Sequence, residues 1–391
     1  MSEELKWISD GIDGIYEDMR SFREELHRHP ELSSEEVWTS SQIIKKLEEF
    51  GIPYERAGKT SVLATIKGDK PGKTVALRGD MDGLPIEEAS DVKFKSEEKG
   101  KMHACGHDSH STTLLAAGKI LNEHKNEING TVKLFFQEAE ETFEGAKRII
   151  EDGKLDAVDA IFGLHNNTSF PLGKAFISRG SVCAGCDTIY VTFTGVSGHG
   201  STPYLAKDSL LPACTFLLDI NGIITKNTDA QKSIVVSVGK MVGGTKANIV
   251  AKETKLDISL RYFDEETHEI VLKAMERHAK AIGSMYELDV DFEVVPSTPS
   301  LTSDANMADI ARNAAVKVMG ADALMEHEAL MGSEDFAYYL QKTKGAYLWF
   351  GSGNDTDCTY FMHNEKFKLE EEYMRNAAKV LIQTAVDFLN E

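Results

Sequence analysis

The sequence predicts an α/β domain built on a mostly parallel sheet and interrupted by a smaller inserted α+β domain. Three observations carry this reading. At 391 residues the chain exceeds the length over which a single hydrophobic core usually grows, so two domains are expected. Short strand-like and helical patterns alternate after residue 51 and again beyond residue 297. Between them the order becomes β-α-β-β-α-β, that of a ferredoxin-like split βαβ unit. The expected boundaries are 1–183 with 297–391 for the main domain and 184–296 for the insertion.

The elements follow in order. Residues 8–28 and 33–50 read as helices, with Ser33 or Ser34 capping the second and Glu35–Glu36 in its first turn. HRHPELSSEE is the helix end and turn between them, broken by Pro30. SVLATIK and KTVALRGD are strands, STTLLAAGKILNEH a helix, GTVKLFFQ a strand, EGAKRIIEDGKL a helix and AIFGLH a strand. In the insertion, DTIYVTFTG alternates as a strand and DSLLPACTFLLDINGII is helical. SIVVSVGKMVGG and KETKLDISLRYF are strands, EETHEIVLKAMERHAKAIGSMYE is a long amphipathic helix, and LDVDFEVVPS closes the unit. After PSTPSLTSD the pattern resumes with ANMADIARNAAVKVMG, SEDFAYYLQKT, GAYLWFGSG and EEEYMRNAAKVLIQTAVDFLN.

Composition narrows the partners. With 41% hydrophobic and 27% charged residues the chain is ordinary globular material. A formal net charge of -20 argues against nucleic acid and anionic membranes, and an anionic substrate would need local positive charge. The first residues show no basic and apolar leader pattern, and no apolar run is long enough to span a bilayer. Five scattered cysteines fit a reducing compartment, so the expected location is cytoplasmic. Cys183 and Cys186 form a lone CAGC followed by a strand, which reads as structural and not as a redox or metal pair.

In parallel sheets, ligands bind beyond the carboxyl ends of the strands. KTVALRG ends at Asp80, followed by Asp82; GTVKLFFQ ends at Glu138, Glu140 and Glu141; AIFGL ends at His165; and the loop after GAYLWFGSG reaches His363. MHACGHDSH, with Cys105 and His107, precedes a helix at the same rim. Thiolate, imidazole and carboxylate together suit borderline divalent ions such as zinc, cobalt, manganese or nickel. Cys105 and His107 are two apart, so a loop must aim them, and Asp108 or Ser109 could cap the helix that follows. Of Glu140 and Glu141, one can ligate while the other takes a proton from the attacking water. His103, His110 and His124 read as surface or supporting residues. A cysteine–histidine nucleophilic pair at Cys105 and His107 is the competing reading, but it leaves the Glu pair, His165 and His363 unused.

LHRHPELSSEE, ALRGDMDGLPI, MHACGHDSH, FFQEAEE, GLH, GVSGHGSTP, GGTKANIV, GSEDFAYY and MHNEKF occur in one order along about 20–370. In this the chain resembles the metal-dependent N-acyl-amino-acid amidohydrolases of the aminoacylase/carboxypeptidase superfamily, in the branch with hippurate and auxin-conjugate hydrolases. The resemblance implies two divalent metal ions held by Cys105, His107, Glu141, His165 and His363, with Glu140 as general base. It implies supporting roles for Asp80 and Asp82. It makes the insertion a lid and dimerisation domain whose His199 reaches a neighbouring subunit's site to steady the oxyanion, while Asn248 and Arg261 hold the substrate carboxylate.

The expected function is therefore hydrolysis of N-acyl amino acids by a metal-dependent amidohydrolase acting as a homodimer. The alternatives are an N-acetyl-diaminopimelate deacetylase or dipeptidase of the same fold, a cysteine-nucleophile amidase, and a non-catalytic metal-binding relative. Four departures from the family pattern surround the expected pocket: Glu138 where proline commonly stands, Tyr204 for histidine, Ala251 for proline, and NNTSF after His165.

Overall fold

In the computed structural model, which describes residues 3–354 and 356–391, the chain divides into two compact units. The first runs to Val182 and resumes over Thr302–Ala329 and Glu334–Glu391; the second is Cys183–Leu301 with Leu330–Ser333. That last segment carries no helix or strand pattern to announce its place.

The first unit opens with α1 (Glu3–Gly14), α2 (Tyr16–Arg28) and α3 (Val37–Glu49). The single helix expected over 8–28 is broken at Ile15, next to Gly14, where helix propensity is poor. The expected serine cap of α3 is also absent: Glu36 occupies the cap position, and its side chain makes no capping bond to the helix. Both serines are engaged elsewhere. Ser33 Oγ donates to Asp82 Oδ2 (2.7 Å), and Ser34 Oγ accepts from Arg148 Nη1 (2.8 Å).

There follow β1 (Tyr54–Ala57), β2 (Ser61–Lys67), β3 (Lys70–Asp80), α4 (His107–Glu123), β4 (Asn129–Gln137), α5 (Gly145–Glu151), β5 (Ala160–Pro171), β6 (Ala175–Phe176) and β7 (Ser181–Cys183). The second unit holds β8 (Gly185–Thr194), α6 (Leu210–Asn227), β9 (Ile234–Gly243), β10 (Glu253–Tyr262), α7 (Glu265–Met285) and β11 (Asp289–Thr298). The chain ends with β12 (Leu301–Thr302), α8 (Ala305–Met319), α9 (Ala337–Leu340), β13 (Lys344–Gly353) and α10 (Tyr373–Asn390).

The large sheet has the order β1-β2-β4-β3-β5-β13-β6. Its central strands β4, β3, β5 and β13 are parallel, but the three outer pairings are antiparallel, so the sheet is mixed and not mostly parallel. For β1 and β2 the reason lies in their connection: a turn that short can only join antiparallel strands. One sheet face packs Val75, Leu77, Leu134, Phe162, Leu164 and Leu348 into a core shared with α4, α8 and α10. The opposite face buries Arg78, Phe135 and Tyr347 against Phe336 and Tyr339. Pairing of Asp80 with Gln137 and of Arg78 with Gly163 brings the carboxyl ends of β3, β4 and β5 to one rim.

The second unit is an antiparallel sheet of order β11-β8-β10-β9. Taken with its chain order β-α-β-β-α-β, this is the split βαβ topology. Alternate residues Leu256, Ile258 and Leu260 of β10, with Ile189, Val191 and Phe193 of β8, form a core with α6 and α7.

Candidate active site

The loop before α4 is held by backbone geometry. Gly106 has φ +92°, and a Cβ there would lie 2.2 Å from Asn166 Nδ2, so glycine is required. The same Asn166 Nδ2 donates to the carbonyl of Cys105 (2.7 Å). Gly106 is the cap of α4, and neither expected side chain caps it. Asp108 instead accepts from Arg23 Nε (2.7 Å) and meets His27 Nδ1 (2.8 Å), all three being buried. Ser109 Oγ donates back to the Gly106 carbonyl (2.5 Å) and accepts from the Tyr373 hydroxyl.

Beyond β4 the chain reverses sharply, with Ala139 at φ +51° and Phe143 at φ +56°. Glu141 N–H donates to Asp82 Oδ2 (3.1 Å), and Glu140 Oε1 receives the Asp335 N–H (3.4 Å). His165 extends from β5, and His363, at φ +67°, is anchored by its N–H on the Ala104 carbonyl (2.8 Å).

These segments bring Cys105, His107, Glu141, His165 and His363 together. Donor atoms of Cys105, His107 and His165 lie within 4.8 Å of one another, as do those of Cys105, Glu141 and His363, and those of His107, Glu140 and Glu141. Cys105 Sγ is 3.4 Å from His165 Nε2, and Glu141 Oε1 is 3.3 Å from His363 Nε2 and 3.9 Å from His107 Nε2. Two of these atoms, His107 Nε2 and Glu141 Oε1, are buried and make no hydrogen bond.

Proton positions suit the same purpose. His107 donates from Nδ1 to Asp82 Oδ1 (3.1 Å), and His165 from Nδ1 to the Asn166 carbonyl (2.6 Å). Nδ1 of each imidazole is thereby committed and Nε2 is the nitrogen that faces the cluster, so a metal binding there would have to replace any proton on it. His110 is differently employed: Nδ1 donates to Asp80 (2.6 Å) while Nε2 accepts from Asn166 N–H (3.0 Å), so it supports and does not ligate. A sulfur, imidazoles and carboxylates with orphaned lone pairs fit divalent transition ions.

Residues 76–387 match the model of peptidase family M20/M25/M40. The chain belongs to this family. The N-acetylcysteine deacetylase of Bacillus subtilis is 33% identical over 94% of this chain and 95% of its own length. The hippurate hydrolase of Campylobacter jejuni is 32% identical over 95% and 97%. A crystal structure of a Bacillus subtilis protein, described as a dinuclear metal binding peptidase from the M20 family, superposes with a TM-score of 0.86 at 31% identity, covering 97% of this chain and 99% of that one.

As an M20 hydrolase the chain has a site whose charges call for cations. Burial opposes charge on His107, but Asp80 and Asp82, with Glu141, outweigh it and push its pKa up to about 10. Burial raises Glu140 well above the carboxylate range, reinforced by Glu334, Glu141, Asp335 and Asp80. Burial likewise raises the Cys105 thiol, and Glu141, Glu140 and Asp80 push the same way.

Several supporting residues escaped sequence reasoning. Arg78, fully buried, bonds Asp80, Glu334, Asp335 and Gln137 beneath the site. Its signal was position: two residues before Asp80 on one strand, it shares that residue's face. Arg23 and His27, spaced i,i+4 on α2, had the same kind of signal. Of the remaining histidines, His103 is buried with both ring nitrogens unbonded, so it is not a surface residue, and His124 stacks on Trp7 at 4.6 Å.

His199, Asn248 and Arg261 lie in the second unit. The loops of the first two pair directly: Gly200 N–H donates to the Asn248 carbonyl (2.8 Å) and Val250 N–H to that of Gly198 (2.9 Å). His199 Nδ1 accepts from Ser201 N–H (3.1 Å) and Oγ (2.7 Å), which places its proton on Nε2. Arg261, at the end of β10, donates from Nη1 to the Met331 carbonyl (2.7 Å) and Ser333 Oγ (3.2 Å). Of the four departures, Tyr204 is 81% exposed and Ala251 is buried, while NNTSF continues β5. Glu138 is buried among donors, with Lys59 N–H, Thr60 and Arg148 around it.

Proposed function

We propose that this M20 hydrolase cleaves the amide bond of N-acyl amino acids with two divalent ions held by Cys105, His107, Glu141, His165 and His363. The observation that carries the reading is the convergence of these five groups, with His107 and His165 both committed through Nδ1 so that Nε2 faces the cluster, beside Glu140. When bound, divalent ions polarise a carbonyl and make water more acidic.

Glu140 takes a proton from the attacking water and delivers it to the departing amine. Asp82 fixes the tautomer of His107, and Asp80 fixes that of His110. The second unit acts as lid and dimerisation domain: His199, from a neighbouring subunit, presents its Nε2–H to the developing oxyanion. Arg261 and Asn248 receive the amino acid's carboxylate; Arg261 has no acidic partner among the described residues and is held in place by Met331 and Ser333. This local cation answers the problem an anionic substrate faces with a chain of net charge -20. Zinc, manganese, cobalt or nickel fit the donor set, and the five free cysteines support a cytoplasmic location. No described helix is long and apolar enough to cross a membrane.

A panel of N-acetyl, N-benzoyl and longer N-acyl amino acids, assayed with the metal varied, tests the substrate class. With an active member of that panel, Glu140→Gln is expected to keep its metal content while kcat falls by about 10²–10⁴-fold. Substantial turnover by that variant would remove Glu140 from its role. Hydrolysis that survives complete removal of divalent ions would overturn the reading as a whole.

A further inference from the structure

Glu36 lies far from Glu140 in sequence, and the chemistry above leaves it unused. It is fully buried, as is Glu138, and Thr60 stands between them. Thr60 Oγ1 is 2.7 Å from Glu36 Oε2 and 2.5 Å from Glu138 Oε2. A threonine hydroxyl carries one proton, so it can donate to only one of these oxygens. The other contact is a hydrogen bond only if the second carboxyl supplies a proton.

The surroundings identify which. Glu138 accepts from Lys59 N–H (2.9 Å and 3.1 Å), from Thr60 N–H and from Arg148 Nη1 (3.0 Å), a set that satisfies an ionised carboxylate. Among the described residues Glu36 has no cationic partner: its Oε1 accepts the N–H groups of Ser34 (3.0 Å) and Ala139 (2.8 Å), and its Oε2 meets Thr60. The carbonyl-like and hydroxyl-like ends of a neutral acid match these two environments. Burial, with Asp82 nearby, independently pushes the Glu36 carboxyl up to about 7.

Ala139 is the residue that matters here. It holds φ +51°, a conformation a non-glycine residue rarely adopts, and it immediately precedes Glu140 and Glu141. We propose that Glu36 is a positioning residue for the Glu140–Glu141 turn and works as a neutral acid. Its Oε1 accepts the Ala139 N–H, its Oε2–H donates to Thr60, and Thr60 donates to ionised Glu138. The inference rests on the proposed role of Glu140. It also accounts for Glu138, whose carboxylate terminates the chain of donors.

Glutamine reproduces a neutral acid at this position, its carbonyl accepting from Ala139 and its amide donating to Thr60. Glu36→Gln is therefore expected to keep kcat within about twofold, whereas Glu36→Ala lowers kcat on the order of a hundredfold with a smaller change in KM. Metal content, measured separately, should be retained in Glu36→Gln. Difference infrared spectroscopy of the metal-free wild type against Glu36→Gln should show the carbonyl band of a protonated buried carboxyl that the variant lacks. Absence of that band, or Glu36→Gln as impaired as Glu36→Ala, would overturn the neutral acid. Full activity in a folded Glu36→Ala would overturn the positioning role. If Glu36→Ala does not fold, the glutamine variant and the infrared band still decide protonation. Should the wild type hydrolyse none of the N-acyl amino acids, the substrate reading falls while the infrared result stands.

Discussion

Neighbouring carboxylates are given different roles by what faces them. Glu141 directs an unbonded oxygen toward His107 and His363, while Glu140 accepts the Asp335 N–H and has its pKa raised by burial and by the carboxylates around it, a shift that bound cations would oppose. A group that must gain and lose a proton needs such weak, uncommitted bonding; a ligand needs a lone pair already aimed. The same distinction explains Arg261. One of its nitrogens is committed to Met331 and Ser333, which sets the guanidinium plane; in the proposed role the rest of the fork would receive a planar carboxylate. Arg261→Lys keeps the charge but loses that fork. It is expected to raise KM for N-acyl amino acids by about tenfold or more, with kcat changed less, in steady-state kinetics. An unchanged KM would place the carboxylate elsewhere.

Pairs of elements hold the site together through buried charge. The α2–α4 junction is the clearest case: Arg23 and Asp108, 2% and 0% exposed, are paired at 2.7 Å one residue from His107. Removing one partner of a buried pair leaves the other uncompensated, at a cost of about 3–5 kcal/mol. Arg23→Met should accordingly lower the melting temperature and weaken metal uptake together, in thermal unfolding followed with and without added metal. An unchanged melting temperature would mean the pair contributes nothing. Much of this level was legible in the sequence. Strand ends at Asp80 and Gln137 follow from hydrophobic periodicity, whereas β5 runs on past the expected end at His165 to Pro171; the helix expected after MHACGHDSH is present but begins inside that motif, at His107. The caps were not legible, because Ser33, Ser34, Asp108 and Ser109 have partners far away in sequence. The extent of α9 was not legible either: it lies within SEDFAYYLQKT but covers only Ala337–Leu340, because Glu334 and Asp335 are drawn into the network around Arg78 instead of extending the helix. Long-range polar pairing leaves no periodic trace, whereas burial of one face does.

For the whole molecule, one sheet edge concentrates acidic and imidazole groups in a chain already strongly acidic. Asp80, Asp82, Glu140, Glu141, Glu334 and Asp335 gather at the ends of the parallel strands, with Arg78 as the buried guanidinium among them. Bound divalent ions would relieve that concentration, and binding to the folded state alone stabilises it by mass action. The central claim is that five side chains from separate segments hold two cations beside Glu140. Anomalous diffraction from crystals grown with zinc or manganese, with metal content measured on the same protein, tests it most directly. Two peaks are predicted, each within coordination distance of donors drawn from Cys105, His107, Glu141, His165 and His363, and two ions per chain in solution. Ions bound elsewhere, or those five side chains left without metal at saturating concentrations, would contradict the account.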